Sequence, residues 1–68
     1  MEQVTLKAAR VNVGLTQKEA AHALGVSNKT LSNWENGVSV PGADKIDLIC
    51  ALYDRSYNGV IFLPNNSL

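Results

Sequence analysis

Between Ser27 and Asn33 the chain reads SNKTLSN, a run rich in hydrogen-bonding side chains in which only Lys29 is charged. Asn28 and Asn33 each offer a donor and an acceptor side by side, Ser32 a hydroxyl that serves as either, and Lys29 three donors. Such groups are suited to reading a hydrogen-bond pattern on another surface. Catalysis needs a different inventory. His22 and Cys50 are the only residues of their kinds, and there is no Cys-His pair, no paired carboxylates in a glycine-rich setting and no nucleotide loop. A lone His and a lone Cys cannot build a zinc site, nor can one cysteine close an internal disulfide, so neither metal nor cofactor is expected. The chain is not expected to be an enzyme.

The 68 residues are 46% hydrophobic, enough for one small domain near the lower limit for a core without staples. The expectation is therefore a single domain over 1–68, with no second domain for an effector. No apolar run approaches the ~20 residues that cross a bilayer, and no secretory leader is visible, which makes a soluble cytoplasmic protein the expectation. Six basic residues balance six acidic ones, against the cationic excess of a bulk nucleic-acid binder. The balance is uneven along the chain. Lys7, Arg10, Lys18 and Lys29 face Glu2 and Glu19 in the first half, whereas Glu35, Asp44, Asp47 and Asp54 outnumber Lys45 and Arg55 later.

Apolar spacing places the reading residues on one of several short helices. Leu6, Ala9 and Val13 recur at helical intervals and stop at Gly14, which suits the left-handed turn after a first helix. TQKE, from Thr16 to Glu19, is a capping box that opens a second helix, and Gly25 ends it. Ser27 then caps a third helix from about Asn28 to Asn36, entered through a turn of three or four residues, with Leu31 and Trp34 on its inner face. After Gly37 and Pro41, Ile46, Ile49, Cys50 and Tyr53 form the stripe of a fourth helix. The tail over 56–68 is open to two readings, a short fifth helix capped by Ser56 or an extended strand, since Gly59 and the β-branched Val60 and Ile61 weaken helix. The fold class is all-α, a compact four- to five-helix bundle.

Two helices joined by a tight glycine turn, the first lined with alanines that allow close approach, make a helix-turn-helix. The run over 17–36 resembles the DNA-binding unit of the phage repressor and Cro family, also called xenobiotic-response-element-like regulators. The matching features are GLTQKEAA at Gly14 to Ala21, Gly25 at the turn, Val26 after it, Leu31 in the third helix, and WENG followed shortly by a proline. The likeness extends from about Leu6 to Phe62. It implies that the third helix lies in the major groove of duplex DNA with Asn28, Lys29, Ser32 and Asn33 at base edges, a docking in which Asn pairs with adenine and Lys with guanine. It implies phosphate contacts at Gln17, with Lys18 beside it, at Asn36, and at the amides near Ala43 and Asp44; these fix register rather than sequence. It also suggests that Arg10 and Glu35, surface charges in a linear reading, pair and tie the first helix to the end of the third.

Plainer roles compete for some of these residues. Thr16 and Ser27 are caps first, Trp34 behind Leu31 is packing rather than a stacking platform, His22 faces solvent, and Cys50 is a small core side chain. The expected partner is a double-stranded DNA operator, bound by a regulator that represses transcription in a phage or bacterial gene switch, with affinity less salt-dependent than a basic relative shows. One recognition helix covers too few base pairs to single out an operator, so a weak homodimer is expected on DNA. Val38, Val40, Ile61 and Phe62 are assigned to its contact, and Val60 and Leu63 belong to the same apolar cluster. The rival reading keeps the fold but gives the apolar C-terminal tail to a protein partner, as an antitoxin or anti-regulator would.

Overall fold

The computed structural model describes residues 3–62. Four α-helices follow a two-residue strand: β1 (Val4–Thr5), α1 (Leu6–Asn12), α2 (Gln17–Leu24), α3 (Asn28–Glu35) and α4 (Ala43–Tyr53), then a 3₁₀ turn at Tyr57–Gly59 and β2 (Val60–Ile61). The open tail combines both readings, one helical turn and then a strand. β2 pairs in parallel with β1, Val4 opposite Val60 and Thr5 opposite Ile61. The helical class holds, with four helices and a helix-turn-helix, and the one addition that was not expected is this two-residue parallel pair. Thr5 serves two elements, since its Oγ1 also accepts from the Ala8 amide and caps α1.

Each helix start is explained by its own residues. The Thr16 hydroxyl accepts from the Glu19 amide at 3.1 Å while the Glu19 carboxylate accepts from the Thr16 amide at 2.9 Å, the reciprocal box that its spacing implies. Ser27 accepts from the Thr30 amide in the same way at α3. Between α2 and α3, Gly25 sits at φ 74°, in the left-handed region where a Cβ is strained. That turn lets α3 leave α2 after only Gly25, Val26 and Ser27, and the Val26 amide closes it on the Ala21 carbonyl.

The core gathers Leu6 and Ala9 from α1, Ala20, Ala21 and Leu24 from α2, Leu31 from α3, Ile49 and Tyr53 from α4, and Val60 and Phe62 from the tail. Small alanines on α2 let α3 pack closely against it, and Leu31 enters the core from α3. Trp34, Ile46 and Cys50 pack half-buried around this centre. Val13 departs from its expected place. Helix α1 ends at Asn12, Val13 takes the C-cap position with φ −98°, and its side chain swings to the surface. The inner position one turn after Leu6 is taken instead by Arg10, only 7% exposed.

Two long-range bonds fix the helices further. The Lys45 ammonium of α4 donates to the Leu24 carbonyl at 3.1 Å, meeting one of the free carbonyls at the end of α2 where the helix dipole favours a cation. Gln3 Nε2 donates to the Asn58 carbonyl across the ends of the described chain. Among the described residues no helix is long and apolar enough to cross a membrane.

Candidate nucleic-acid interface

The outward side of α3 carries the residues expected to read bases. Asn28 and Lys29 stand exposed in its first turn, and Ser32 and Asn33 follow one turn later, half-buried. Ser27 does not join them, because its hydroxyl accepts from the Thr30 amide and donates to the Thr30 hydroxyl at 3.0 Å. Its work is to hold the helix start. At the far end Asn36 is the C-cap, and its Nδ2 donates to the Ser32 Oγ at 3.2 Å. One residue expected at bases and one expected at phosphate are thus joined, which leaves the Ser32 hydroxyl its own proton to donate. The Asn33 carbonyl accepts from the Val38 amide at 2.9 Å, so the reading helix and the following loop hold each other.

Behind this helix lies a four-membered polar network. Arg10 Nε meets Glu35 Oε2 at 2.8 Å, with only 9% and 4% of the two side chains exposed. Arg10 Nη2 reaches Glu35 Oε1 at 3.3 Å, and Arg10 Nη1 donates to the Leu15 carbonyl at 2.8 Å. Gln17 Nε2 adds a fourth bond, to Glu35 Oε1 at 3.2 Å. One guanidinium therefore ties α1 to the loop before α2 and to the last residue of α3. The forked pairing is the strong, directional kind that Arg forms with carboxylates. Tyr53 lies within its field. Burial, and then the Glu35 charge, push the tyrosine pKa up to about 12, while Arg10 pulls the other way. The phenol stays protonated throughout the physiological range, and its buried oxygen finds no hydrogen-bond partner among the described residues.

The expected phosphate contacts occupy two helix starts. Gln17 and Lys18 are the first residues of α2, Gln17 half-buried and Lys18 exposed, and Ala43 is the exposed first residue of α4. Helix starts leave amides without internal partners and present a partial positive charge. At α4 the N-cap is Gly42, which makes no side-chain capping bond, so amides there are left free. Asp44 in the same turn offsets some of that attraction.

The surface assigned to pairing divides. Val38 is 70% exposed, and Val40 and Ile61 remain well exposed. Ile61 shares a shallow depression with Thr5, Trp34, Asn36 and Gly37, beside the Val38 loop. Phe62 is the correction. It is buried at 7% exposure, and its ring stacks on Tyr57 with centroids 5.6 Å apart. The alternation of β2 sends Val60 and Phe62 inward and Ile61 outward, as successive strand residues must. Leu63 and the rest of the assigned tail lie outside the described residues. Cys50 is half-buried on α4, and burial followed by the Asp47 charge pushes its thiol above the usual range. Among the described residues no cluster of three or more His, Cys, Asp or Glu can hold a metal ion.

Sequence reasoning missed two participants. Lys45 was read only as a charge, yet it caps α2, and the bond from Gln17 to Glu35 crosses 18 residues without any local signal.

Comparison with known proteins places this geometry. The family described as Helix-turn-helix matches residues 6–60, from the start of α1 to the first residue of β2. The chain is 38% identical over 56 residues to the Antitoxin PezA of Streptococcus pneumoniae serotype 4, a match spanning 82% of this chain and 35% of that protein. It is 43% identical over 51 residues to the HTH-type transcriptional regulator ImmR of Bacillus subtilis, covering 75% of this chain and 40% of the relative. The chain thus spans well under half the length of either relative. No solved structure matches. A family match running from α1 to β2, on a structure in which a glycine turn sets α3 against α2, makes the chain a member of the Cro/C1-type helix-turn-helix family, a DNA-binding and non-enzymatic domain.

Proposed function

We propose that the chain reads a specific duplex operator with α3 in the major groove and represses transcription in a phage or bacterial gene switch. The observation that carries this reading is the division of α3 itself. Leu31 is fully buried while Asn28 and Lys29 at the helix tip are exposed and Ser32 and Asn33 follow on the outward side, so the helix is anchored by one face and free to meet bases with the other. Gln17, Lys18, Asn36 and Ala43 hold the flanking phosphates, and the resemblance to a transcriptional regulator supports the regulatory role. Binding-site selection from random duplexes tests it. Asn28→Ala or Asn33→Ala should cost about 1–3 kcal/mol on the selected site and relax base choice at one position, with thermal stability nearly unchanged. Equal loss on every sequence would move these residues to the phosphate class.

Two copies are needed for selectivity. The pairing surface is Val38, Val40 and Ile61, without Phe62, which the core has claimed. Half-sites should lie ~10 base pairs apart, and sedimentation should show a monomer at micromolar concentration with two protomers on one operator. Ile61→Asp should halve that stoichiometry while the protein stays folded. One protomer saturating a specific site, with binding indifferent to Ile61→Asp, would end the dimer reading.

A second reading, favoured by the likeness to an antitoxin and by exposed Val38, Tyr57 and Ile61, gives this surface to a protein partner. Duplex binding that weakens with added salt favours the operator; absence of duplex binding by the folded chain favours the partner.

A further inference from the structure

We infer that Lys45 is a positioning residue for operator reading: from the first turn of α4 it clamps the peptide that leads from α2 into the glycine turn, and so holds α3 in register with the start of α4. This inference rests on the reading of α3 as the helix that meets bases. One bond carries it. Lys45 Nζ donates to the Leu24 carbonyl at 3.1 Å, and the place that a Cβ would take on Gly25 lies 3.9 Å from the same nitrogen. The ammonium therefore lies over the turn itself.

The Leu24 carbonyl belongs to the peptide unit shared with Gly25, whose φ of 74° sets where the chain goes next. Rotation of that unit redirects α3. The backbone bonds across the turn come from the end of α2: the Gly25 amide donates to the His22 carbonyl at 3.1 Å and the Val26 amide to the Ala21 carbonyl at 3.0 Å. They close the turn but tie it to nothing beyond α2. Among the described residues the bond from Lys45 is the one hydrogen bond that joins this turn to an element other than the two helices it connects. It is charge-assisted, hence stronger than a neutral bond in the same place.

The tie matters because α3 and the start of α4 are both assigned to the duplex, one to bases and the other to phosphate. Yet α3 packs mainly on α1 and α2, and α4 on α1, α2 and the 3₁₀ turn, rather than on each other. Their relative position is transmitted through α2, and Lys45, the third residue of α4, makes that link at the end from which α3 departs. A lysine beside a phosphate site would ordinarily be counted as a phosphate contact. Here it is half-buried, and its ammonium is committed to a carbonyl, so it contributes alignment rather than attraction.

Fluorescence anisotropy over a salt series tests the inference with two duplexes, the one selected from the random pool and one of mixed sequence. Wild type, Lys45→Met and Lys45→Arg are compared far below their melting points. Lys45→Met keeps the side-chain stem and removes the ammonium. It should weaken binding to the selected duplex by roughly three- to thirtyfold, part of the worth of a hydrogen bond to a charged group. On the mixed duplex the loss should be at most about twofold, because alignment with bases counts only where bases are read. The slope of log K against log salt should change by well under ~1, the change that a missing phosphate contact gives. Lys45→Arg, which can still donate to the carbonyl, should recover most of the selectivity. Equal losses on both duplexes with a slope reduced by about one would place the ammonium on phosphate and overturn the inference, as would a Lys45→Met protein that binds the selected duplex as wild type does. Should Asn28→Ala and Asn33→Ala leave selectivity intact, the reading of α3 fails, and the inference with it. If Lys45→Met does not fold, NMR of the unaltered chain on the selected duplex decides. Overhauser contacts between the Lys45 ε-protons and the Gly25 α-protons are expected to persist there; their loss on DNA overturns the inference.

Discussion

Arg10→Met alone should lower the stability of this domain by about 3–5 kcal/mol, while Arg10→Met combined with Glu35→Leu should cost far less. The asymmetry follows from burial. Both side chains are over nine-tenths hidden, so removing the guanidinium leaves the Glu35 charge away from water with only the Gln17 amide to face it, and strips the Leu15 carbonyl of its partner. Replacing both partners by apolar groups of similar size removes the charge together with its compensation. Chains of this length hold roughly 3–10 kcal/mol in total, so the single variant should be partly unfolded at physiological temperature. Urea unfolding of wild type, both single variants and the double variant provides the check. Single-variant losses that simply add would show no coupling across the 2.8 Å contact.

Leu31→Ala should be nearly as damaging, at about 2–5 kcal/mol, the range for truncating a buried leucine whose site cannot fully collapse. Leu31 is fully buried, and it is the one buried residue of α3. Its neighbours in the core include Ala9, Ala20 and Ala21, side chains too short to fill the space it would leave. The consequence reaches function because Leu31 seats the helix that presents Asn28, Lys29, Ser32 and Asn33. Thermal melts should separate the two classes clearly, with Leu31→Ala far below wild type and Asn28→Ala close to it. A loss under ~1 kcal/mol for Leu31→Ala would mean that α3 is held chiefly by its end contacts, the Ser27 cap and the Arg10 network.

The helices and the turn were legible because the signals that set them are local. A capping box spans three residues, an apolar stripe recurs every three or four, and a glycine that takes φ 74° needs no distant partner. Thr16, Gly25 and Ser27 do in the structure what their spacing implies, and Leu31 turns inward as its phase on α3 demands. Much of the candidate reading face follows from the same phase, since fixing Leu31 inside places Lys29, Ser32 and Asn33 elsewhere on the helix, while Asn28 is exposed as the first residue of α3. The pairing of Arg10 with Glu35 came differently. Neither residue carries a local sign of burial, and only the family resemblance put the two together.

What remained for the tertiary structure were the relations between helix ends. Val13 was lost from the core because α1 stops one residue early, and Arg10 took the inner place because a carboxylate from 25 residues away met it there. Phe62 was claimed by the core and Ile61 released to the surface because β2 pairs with β1 in one register, which only the approach of the two chain segments sets. Gln17 and Lys45 gained their partners, 18 and 21 residues distant, for the same reason. Caps and periodicities are written in neighbouring residues, so the sequence by itself determined the helices, the glycine turn and the polar face of α3. The polar network behind that face and the division of the tail depend on where separate helices end against one another, and those distances exist only after the chain has packed.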